Sequence, residues 1–223
     1  MSDVPVAVRA RGAAFDPACT RCPRLAEYLE QQRSEHSGYF NAPVPAFGDP
    51  APRLLIVGLA PGRHGANASG RPFTGDFAGF LLYRTLFELD LSTKPESVSA
   101  DDDLKLLGCR ITNAVKCLPP QNKPTTLEVQ TCNDYLREEL AQLPSGAVIF
   151  ALGGIAHRAV LRTSGVRLSE YPFGHGLVHE LPGPRTLVDS YHCSRYNTQT
   201  GRLTSVMFAE AVALAKSLAA ASP

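Results

Sequence analysis

Residues 53–76 have the sequence RLLIVGLAPGRHGANASGRPFTGD, in which a short apolar run leads directly into a glycine-rich loop. Because the run at 53–58 lacks polar alternation, it is typical of a β-strand that is covered on both faces. Three similar runs follow, at residues 108–115, 147–152 and 186–191. Segments compatible with helices lie around and between them, at residues 24–33, 76–89, 127–142, 155–163 and 203–220. The pattern predicts an α/β fold, a three-layer sandwich with a central four-stranded parallel sheet flanked by helices.

The composition is that of an ordinary folded chain. Of the 223 residues, 44% are hydrophobic and 19% are charged, which argues against a disordered chain, a collagen-like fibre or a charged coiled coil. No repeat or change in composition marks a boundary, so we expect a single domain over residues 1–223. The chain starts without the apolar core of a signal peptide and has no apolar run long enough to span a membrane. We therefore expect a cytoplasmic protein without a membrane partner.

Three segments do not fit the alternation of strands and helices. Residues 36–52 are rich in proline and glycine, which predicts a surface loop. Residues 92–103 end in three aspartates, which indicates a solvated excursion from the core. Residues 165–184 contain scattered glycine, proline and histidine and are compatible with a small hairpin.

Four of the six cysteines are candidates for a metal or cluster site: Cys19, Cys22, Cys117 and Cys132. Disulfides are rare in the cytosol, and the C-x-x-C motif at 19–22 does not follow a strand as a thioredoxin motif does. Thiolate ligands suit zinc and iron-sulfur clusters alike, so the spacing leaves both open, beside free structural thiols. Cys109 and Cys193 stand apart and are expected to be small buried residues.

The loop after the first apolar run is unusually rich in glycine. Glycine lets backbone N–H groups approach a ligand closely, but the spacing here is not that of a dinucleotide-binding motif. Gly65 and Gly70 match the start of a P-loop, whereas Arg71 and Pro72 occupy the positions of the required Lys and Ser or Thr. The sequence therefore disfavours ATP as a ligand.

Polar residues follow the predicted strands, at the end of the sheet where parallel α/β proteins bind ligands. Asp76 stands where a helix begins, and its simplest role is an N-terminal cap. Asn122 lies in a proline-stiffened loop, where turn chemistry accounts for it equally well. His192 leaves a strand and enters a polar loop flanked by arginine, which is unusual for a core histidine. These residue types alone do not separate structural roles from functional ones.

Three segments together resemble the signature motifs of the uracil-DNA glycosylase superfamily, in particular those of family 5, the type B enzymes. They are GLAPGRHGANASGRPFTGD (58–76), ITNAVKCLPPQNKP (111–124) and SYHCSRYNTQTG (190–201). The resemblance extends in the same order from the C-x-x-C motif to the last loop, residues 19–205. It implies a monofunctional DNA glycosylase of base-excision repair, and it implies a four-iron four-sulfur cluster bound by Cys19, Cys22, Cys117 and Cys132.

The resemblance also implies roles for the residues that match the motifs. Breaking a glycosidic bond creates positive charge on the sugar and negative charge on the departing base, so a catalyst has to stabilise both. His192 is expected to hydrogen-bond O2 of uracil, and Asp76 to position water or stabilise the sugar cation. Asn122 is expected to bind the Watson–Crick edge of the flipped base, and Phe73 to stack on its face.

The remaining motif residues are expected to contact DNA that contains uracil or another damaged base. The candidates for phosphate binding are the backbone amides around Gly62, together with Arg63 and Arg71. The candidates for the space vacated by the flipped base are Arg195, Tyr196, Asn197 and Gln199. Residues 61–75 contain two arginines and no acid, so they can attract phosphate although the formal net charge is only +1. We expect a monomer.

The chain departs from narrow-specificity relatives at two positions. Those relatives have a polar residue that activates water near the proline of the first motif, where this chain has Leu59 and Ala60. They also have an aromatic residue after that proline, where this chain has Gly62. We therefore expect a larger catalytic share for Asp76 and a roomier pocket that accepts bases such as hypoxanthine. Two other functions remain open: a nucleic-acid-binding module that zinc stabilises and that has no catalytic activity, and an electron-transfer protein that uses the cluster.

Overall fold

The structure is a computed structural model, and it describes residues 14–183 and 185–221. The start of the chain, where the sequence lacks a signal-peptide core, lies outside these ranges. The strands are β1 (Phe47–Gly48), β2 (Leu54–Gly58), β3 (Cys109–Asn113), β4 (Val148–Leu152), β5 (Val178–Leu181) and β6 (Arg185–Ser190). The helices are α1 (Pro23–Glu35), α2 (Ala66–Ser69), α3 (Phe77–Glu88), α4 (Thr126–Ala141), α5 (Gly154–Ser164), α6 (Arg195–Gln199) and α7 (Ser205–Ala221). Within the described ranges, none of the helices combines the length and apolar composition that a membrane span requires.

The strands form one sheet in the order β1-β3-β2-β4-β6-β5. The four central strands, β3, β2, β4 and β6, pair in parallel, which confirms the α/β class predicted from the four apolar runs. The two edge strands pair antiparallel with their neighbours, β1 with β3 and β5 with β6. The sheet is therefore six-stranded and mixed, and the prediction of a four-stranded, wholly parallel sheet describes only its centre.

Neither edge strand has the apolar run that marks the central ones. β1 has two residues only, within the segment predicted to be a loop. β5 has the sequence VHEL, in which only Leu181 is buried. Pairing with β6, and not burial, therefore holds this strand in place. The hairpin considered for residues 165–184 is present, but its second strand is β6 itself.

The core consists of two layers, one on each face of the sheet. Successive residues of β2 alternate between them, with Leu55 and Val57 in one layer and Leu54 and Ile56 in the other. α1, α4 and α5 contribute to the first layer, and α3 and α7 contribute to the second. Because both faces are covered, every residue of β2 is buried, as the unbroken apolar run predicts.

The five longer helices begin and end within two residues of the predicted segments. The start of α4 shows the local reason, because the Thr125 hydroxyl accepts a hydrogen bond from the Glu128 N–H at 3.2 Å. In return, the Glu128 carboxylate accepts one from the Thr125 N–H at 2.7 Å. This capping box satisfies two backbone donors and fixes the first turn. The short helices α2 and α6 are additions to the predicted set.

The excursion at residues 92–103 is anchored to the protein and is not merely solvated. Arg71 donates hydrogen bonds to the Asp102 carboxylate at 2.5 Å, to the Ser97 hydroxyl at 3.0 Å and to the Ala100 carbonyl. The Arg71 guanidinium also lies 4.3 Å from the centre of the Phe47 ring. Arg71, predicted from sequence to bind DNA phosphate, is instead buried in an internal ion pair, because its side chain points at this segment.

Replacing Arg71 with Met is expected to lower the free energy of unfolding by about 3–5 kcal/mol, because it leaves the Asp102 carboxylate buried without its cation. The Asp102 side chain is about 7% exposed. Burial alone would raise the pKa of Asp102, but the Arg71 hydrogen bond and three backbone N–H groups bring it down to about 2. Urea denaturation measures the loss.

The matched control is Arg33→Met, which removes an ion pair to Glu30 whose arginine side chain is 49% exposed. That pair is expected to contribute less than about 1 kcal/mol, because solvent screens it. Equal losses in the two variants would contradict the structural role of the Arg71 ion pair.

Candidate active site

A cavity of about 730 Å³ opens at the carboxyl ends of the four parallel strands. Each strand contributes lining near its end: Leu59 after β2, Asn113 at the end of β3, Gly153 after β4 and Tyr191 after β6. A cleft at this edge of the sheet is the usual ligand site of parallel α/β folds.

Most of the residues selected from the sequence line this one cavity: Gly62, Arg63, Phe73, Asp76, Asn122, His192, Arg195 and Asn197. Arg71, Tyr196 and Gln199 are not among its lining residues. Tyr196 and Gln199 lie on α6, and the Tyr196 side chain is 71% exposed, so both can meet a ligand outside the cavity. The structure thus brings together selected residues separated by up to 135 positions in sequence (62 to 197).

Asp76 caps a helix and is also one of the residues that line the cavity. Its Oδ1 atom accepts a hydrogen bond from the Gly79 N–H at 2.8 Å, which makes it the N-terminal cap of α3. Its carboxylate also lines the cavity. Burial raises the pKa of Asp76 above its ordinary range, although hydrogen bonds from Gly79 and Ala78 oppose the shift. The same residue therefore caps the start of α3 and lines the cavity.

His192 lies beside Phe73, with 6.0 Å between the ring centres and 29° between the ring planes. Its Nδ1 atom is buried and has no hydrogen-bond partner among the residues that the structure describes. Burial lowers the pKa of His192 to about 4, so the imidazole is neutral at physiological pH. A neutral imidazole can donate one hydrogen bond to a ligand oxygen without carrying charge.

Gly58, the last residue of β2, allows two of the lining side chains to meet. A Cβ atom there would lie 2.6 Å from the Phe73 ring and 2.3 Å from the Asn113 Oδ1 atom. Phe73 itself has a φ of 57°, in the left-handed region that is uncommon for an aromatic residue. The Phe73 ring and the Asn113 amide thus pack against Gly58 at the end of β2, and both residues line the cavity.

Asn113 is a lining residue that the sequence reasoning did not select. It ends β3, is 2% exposed, and its Oδ1 atom has no hydrogen-bond partner in the described part of the chain. Asn122, which was selected, is an exposed residue with a φ of 57° at the rim of the same cavity. The signal for Asn113 was available, because a polar residue that ends a buried apolar strand at the binding edge is a candidate ligand contact.

A buried polar group supports β6 just before His192. The Asp189 carboxylate lies 2.8 Å from His157 Nδ1 and 3.2 Å from His179 Nε2. The other ring nitrogen of His157 donates to the Tyr171 carbonyl at 3.0 Å. These bonds connect α5, β5 and β6, so they fix the strand that carries His192 into the cavity.

The mouth of the cavity is positively charged. Arg63 hydrogen-bonds the Tyr28 hydroxyl, Arg195 lies 5.0 Å from the Phe77 ring centre, and Arg202 lies 4.5 Å from the Tyr191 ring centre. Asp76 is the one carboxylate among the described lining residues. Three guanidinium groups against one acid favour an anionic ligand such as a phosphate backbone.

The four candidate metal ligands lie together at a separate, smaller cavity. Cys19, Cys22, Cys117 and Cys132 all line it, the first two half-buried and the last two buried. Burial raises the pKa of Cys117 to about 12 and that of Cys132 to about 11. The nearby sulfurs contribute to both pKa values, and Lys116 opposes the rise at Cys132, so these two thiols favour deprotonation only when a cation joins them. Cys109 and Cys193 are buried elsewhere, as expected.

Comparison with known proteins places the chain in a family. The model of the "Uracil DNA glycosylase superfamily" matches residues 45–216. The chain belongs to this superfamily. It is 51% identical to the "Type-5 uracil-DNA glycosylase" of Thermus thermophilus over 207 residues, which cover 91% of this chain and 94% of the relative. This confirms the resemblance drawn from the three motifs.

Two further relatives carry the same name. The protein of Pyrobaculum aerophilum is 46% identical and covers 86% of this chain, with 85% of its own length matched. The protein of Mycobacterium tuberculosis is 43% identical and covers 92% of this chain, with 80% of its own length matched. The superfamily model spans every residue that lines the cavity and, of the four candidate metal ligands, Cys117 and Cys132.

The depressed pKa of His192 predicts a stability change with pH that the variant His192→Gln abolishes. The folded protein keeps the ring neutral down to about pH 4, whereas the unfolded chain protonates it near 6.5, so lowering the pH favours unfolding. Between pH 7 and pH 5, wild type is expected to lose about 2 kcal/mol more of its unfolding free energy than the variant. Urea denaturation at the two pH values measures the difference. Parallel losses would show that the ring is not held neutral, since the other five histidines are common to both proteins.

Proposed function

We propose that this member of the uracil DNA glycosylase superfamily hydrolyses the N-glycosidic bond of uracil in DNA, as a monofunctional enzyme of base-excision repair. One observation carries the proposal: a carboxylate, a neutral imidazole, an unpaired buried amide and an aromatic ring face the same cavity. The relatives named as uracil-DNA glycosylases support the same activity. We further propose a monomer with one domain over residues 1–223, acting on DNA in the cytoplasm.

The cavity suits a nucleobase that has left the duplex. The Phe73 ring offers a stacking face, and the Asn113 amide offers a donor and an acceptor to the Watson–Crick edge. The buried, unpartnered Oδ1 atom makes Asn113 the stronger candidate for reading the base, with Asn122 contributing from the rim. Extruding the base costs a few kcal/mol, and least at a mismatch such as uracil opposite guanine.

The chemistry follows from the charges that the reaction creates. The bond between C1′ and N1 breaks with its electron pair on the base, and His192 donates a hydrogen bond to O2 of the departing anion. A neutral imidazole can do this without forming an ion pair that would hold the product. The Asp76 carboxylate stabilises the sugar cation and accepts the proton that water loses as its oxygen bonds to C1′.

Two features of the lining limit the mechanism. Leu59 and Ala60 offer no polar side chain to activate water, so the proposal gives that task to Asp76 alone. No lysine is present among the described lining residues, and a Schiff base between enzyme and sugar is therefore not part of the proposal. The product is an abasic site.

The proposal extends to other damaged bases, in particular hypoxanthine. Gly62 stands where narrow relatives have an aromatic side chain, and the cavity volume of about 730 Å³ includes the space that such a ring would fill. A purine base needs more room than uracil, and a wall without a side chain supplies it.

Contacts to the DNA backbone would come from the mouth of the cavity. Arg63, Arg195 and Arg202 are positioned to meet phosphates on either side of the extruded nucleotide. The loop and helix that follow β6 carry the other candidates, Tyr196, Asn197 and Gln199. The exposed Tyr196 ring is suited to the space that the base vacates.

The four cysteines are proposed to bind a four-iron four-sulfur cluster. All four cysteines line one small cavity, and four cysteine thiolates are the usual ligand set of such a cluster. The family resemblance, and not the cysteine spacing, favours the cluster over zinc. The cluster would join the segment before α1 to the loop after β3 and to α4, so its contribution is structural.

Replacing Asp76 with Asn or His192 with Gln is expected to lower kcat on a U:G duplex by roughly 100-fold to 1,000-fold, because each removes stabilisation of charge formed in the transition state. The Kd for the same duplex is expected to stay within about twofold, because phosphate contacts supply most of the affinity. Single-turnover release of base measures kcat, and fluorescence anisotropy measures Kd.

The matched control is Asp101→Asn, an exposed aspartate far from the lining residues. It is expected to leave both quantities unchanged. The same assay with a hypoxanthine duplex tests the wider substrate range, and activity on uracil alone would reject that part. Full kcat in the Asp76 and His192 variants would reject the catalytic roles of these two residues. DNA binding by wild type without base release would instead support a non-catalytic binding module.

Protein purified without oxygen is expected to contain about four iron atoms and four labile sulfides per chain, with visible absorption and no stoichiometric zinc. Cys132→Ser removes one ligand and is expected to lose the iron and to expose the segment around Cys22 to proteases. The control variant Cys109→Ser changes a buried cysteine outside the group and is expected to retain it. Stoichiometric zinc without labile sulfide would reject the cluster.

A further inference from the structure

We propose that Gly65 is a positioning residue, whose lack of a side chain provides the space in which the Asp76 carboxylate is held for catalysis. The inference rests on the proposed function, because it concerns the carboxylate that the glycosylase reaction would use. Gly65 belongs to the glycine-rich loop after β2, and the sequence alone suggested only that such glycines allow backbone amides to approach a ligand.

The contact between the two residues is unusually close. A Cβ atom on Gly65 would lie 2.6 Å from the Cβ atom of Asp76, 2.7 Å from Oδ2 and 3.0 Å from Cγ. Distances this short do not occur between such atoms, and one of them involves the Cβ of Asp76, which cannot move without its backbone. Any side chain at position 65 must therefore displace the carboxylate or one of the two segments.

The segment that carries Gly65 is fixed. The Gly65 carbonyl accepts hydrogen bonds from the Ala68 and Ser69 N–H groups at 2.9 and 3.0 Å, as α2 begins. The next turn is anchored by Asn67, whose buried side chain donates to the Asn41 Oδ1 atom at 2.8 Å. The segment that carries Gly65 cannot move away from Asp76 without breaking buried hydrogen bonds.

The carboxylate is held from the opposite side as well. Asp76 Oδ1 accepts the Gly79 N–H at 2.8 Å, and this bond orients the side chain across the start of α3. Oδ2 faces the glycine loop, where Cβ atoms at Gly65 and Gly62 would lie 2.7 Å and 3.4 Å away. The cap fixes one oxygen, and the bare backbone of the loop determines where the other can lie.

This arrangement predicts an effect on the chemical step and not on DNA binding. A carboxylate displaced by about 1 Å loses its alignment with the sugar and the water, which can reduce a rate by roughly 100-fold. Gly65 itself is buried behind the carboxylate, whereas the phosphate-binding arginines lie at the mouth. The loss should therefore appear in kcat, with KM and Kd for DNA unchanged.

The test is a double-mutant cycle that combines Gly65→Ala with Asp76→Gly. Glycine is used at position 76 because an alanine would keep the Cβ atom that lies 2.6 Å from the new methyl group. Glycine is also tolerated as a helix cap at a small cost. We expect Gly65→Ala alone to lower kcat by 10-fold to 100-fold, and to cause no further loss in the Asp76→Gly protein.

Two further variants calibrate the result. Gly62→Ala places its Cβ atom 3.4 Å from the same Oδ2 atom, so a smaller loss is expected, which should also vanish in the Asp76→Gly background. Gly38→Ala adds a methyl group with nothing within 4 Å and is expected to change neither kcat nor the unfolding midpoint. If Gly65→Ala does not fold, the double variant Gly65→Ala/Asp76→Gly, which lacks the Asp76 side chain, is expected to fold. A double variant that also fails to fold would reject the inference.

The outcomes separate the inference from the proposed function. If Asp76→Gly is inactive and Gly65→Ala reduces the residual rate by the same factor as in wild type, Gly65 acts on the general structure and the positioning role is rejected. A Gly65→Ala protein with normal kcat rejects it equally. If Asp76→Gly retains full activity, the catalytic role of Asp76 fails, and the positioning role fails with it.

Discussion

The parallel pairing of β2 with β3 and β4 is the constraint on which the site depends. It places Gly58 opposite Asn113 and Val57 opposite Ala151, so the strands end together at one edge. The loops that follow them must then meet there, however far apart they lie in sequence. Because both faces of these strands are buried, a one-residue slip of register would move each side chain into the opposite core layer. The packing that stabilises the sheet therefore also fixes the geometry of the cavity.

Small residues at this edge let larger groups come close to one another. Gly58 admits both the Phe73 ring and the Asn113 amide, and Gly65 admits the Asp76 carboxylate. Each of these polar groups carries a cost, since Asn113 has an unpaired buried oxygen and burial raises the pKa of Asp76. Such costs are typical of sites that await a ligand, and the surrounding core offsets them.

The sequence predicts the parts of the fold that depend on burial and misses those that depend on pairing. The four central strands and five helices follow from apolar runs and helical periodicity, whereas β1 and β5 have no such signal and exist because an edge was open to them. His192 could be selected because a histidine is unusual where a buried strand ends. Asp76 needed the family resemblance, because an aspartate at the start of a helix is an ordinary cap. Asn113 was not selected because the predicted strand, residues 108–115, extends past it, whereas the observed strand ends at Asn113 itself.

Arg71 shows that an arginine counted in a loop sequence does not always present its charge to a ligand. Counting arginines along the glycine loop includes Arg71, but the structure pairs it with Asp102 and leaves Arg63 as the one arginine of the loop that lines the cavity. With Arg195 and Arg202, three guanidinium groups remain at the mouth of a chain whose formal net charge is +1. Under the proposed function, three phosphate contacts would give only weak binding to undamaged DNA at physiological salt. Discrimination would then come from the cavity, where the buried amide oxygen of Asn113 gains a partner only when a base enters.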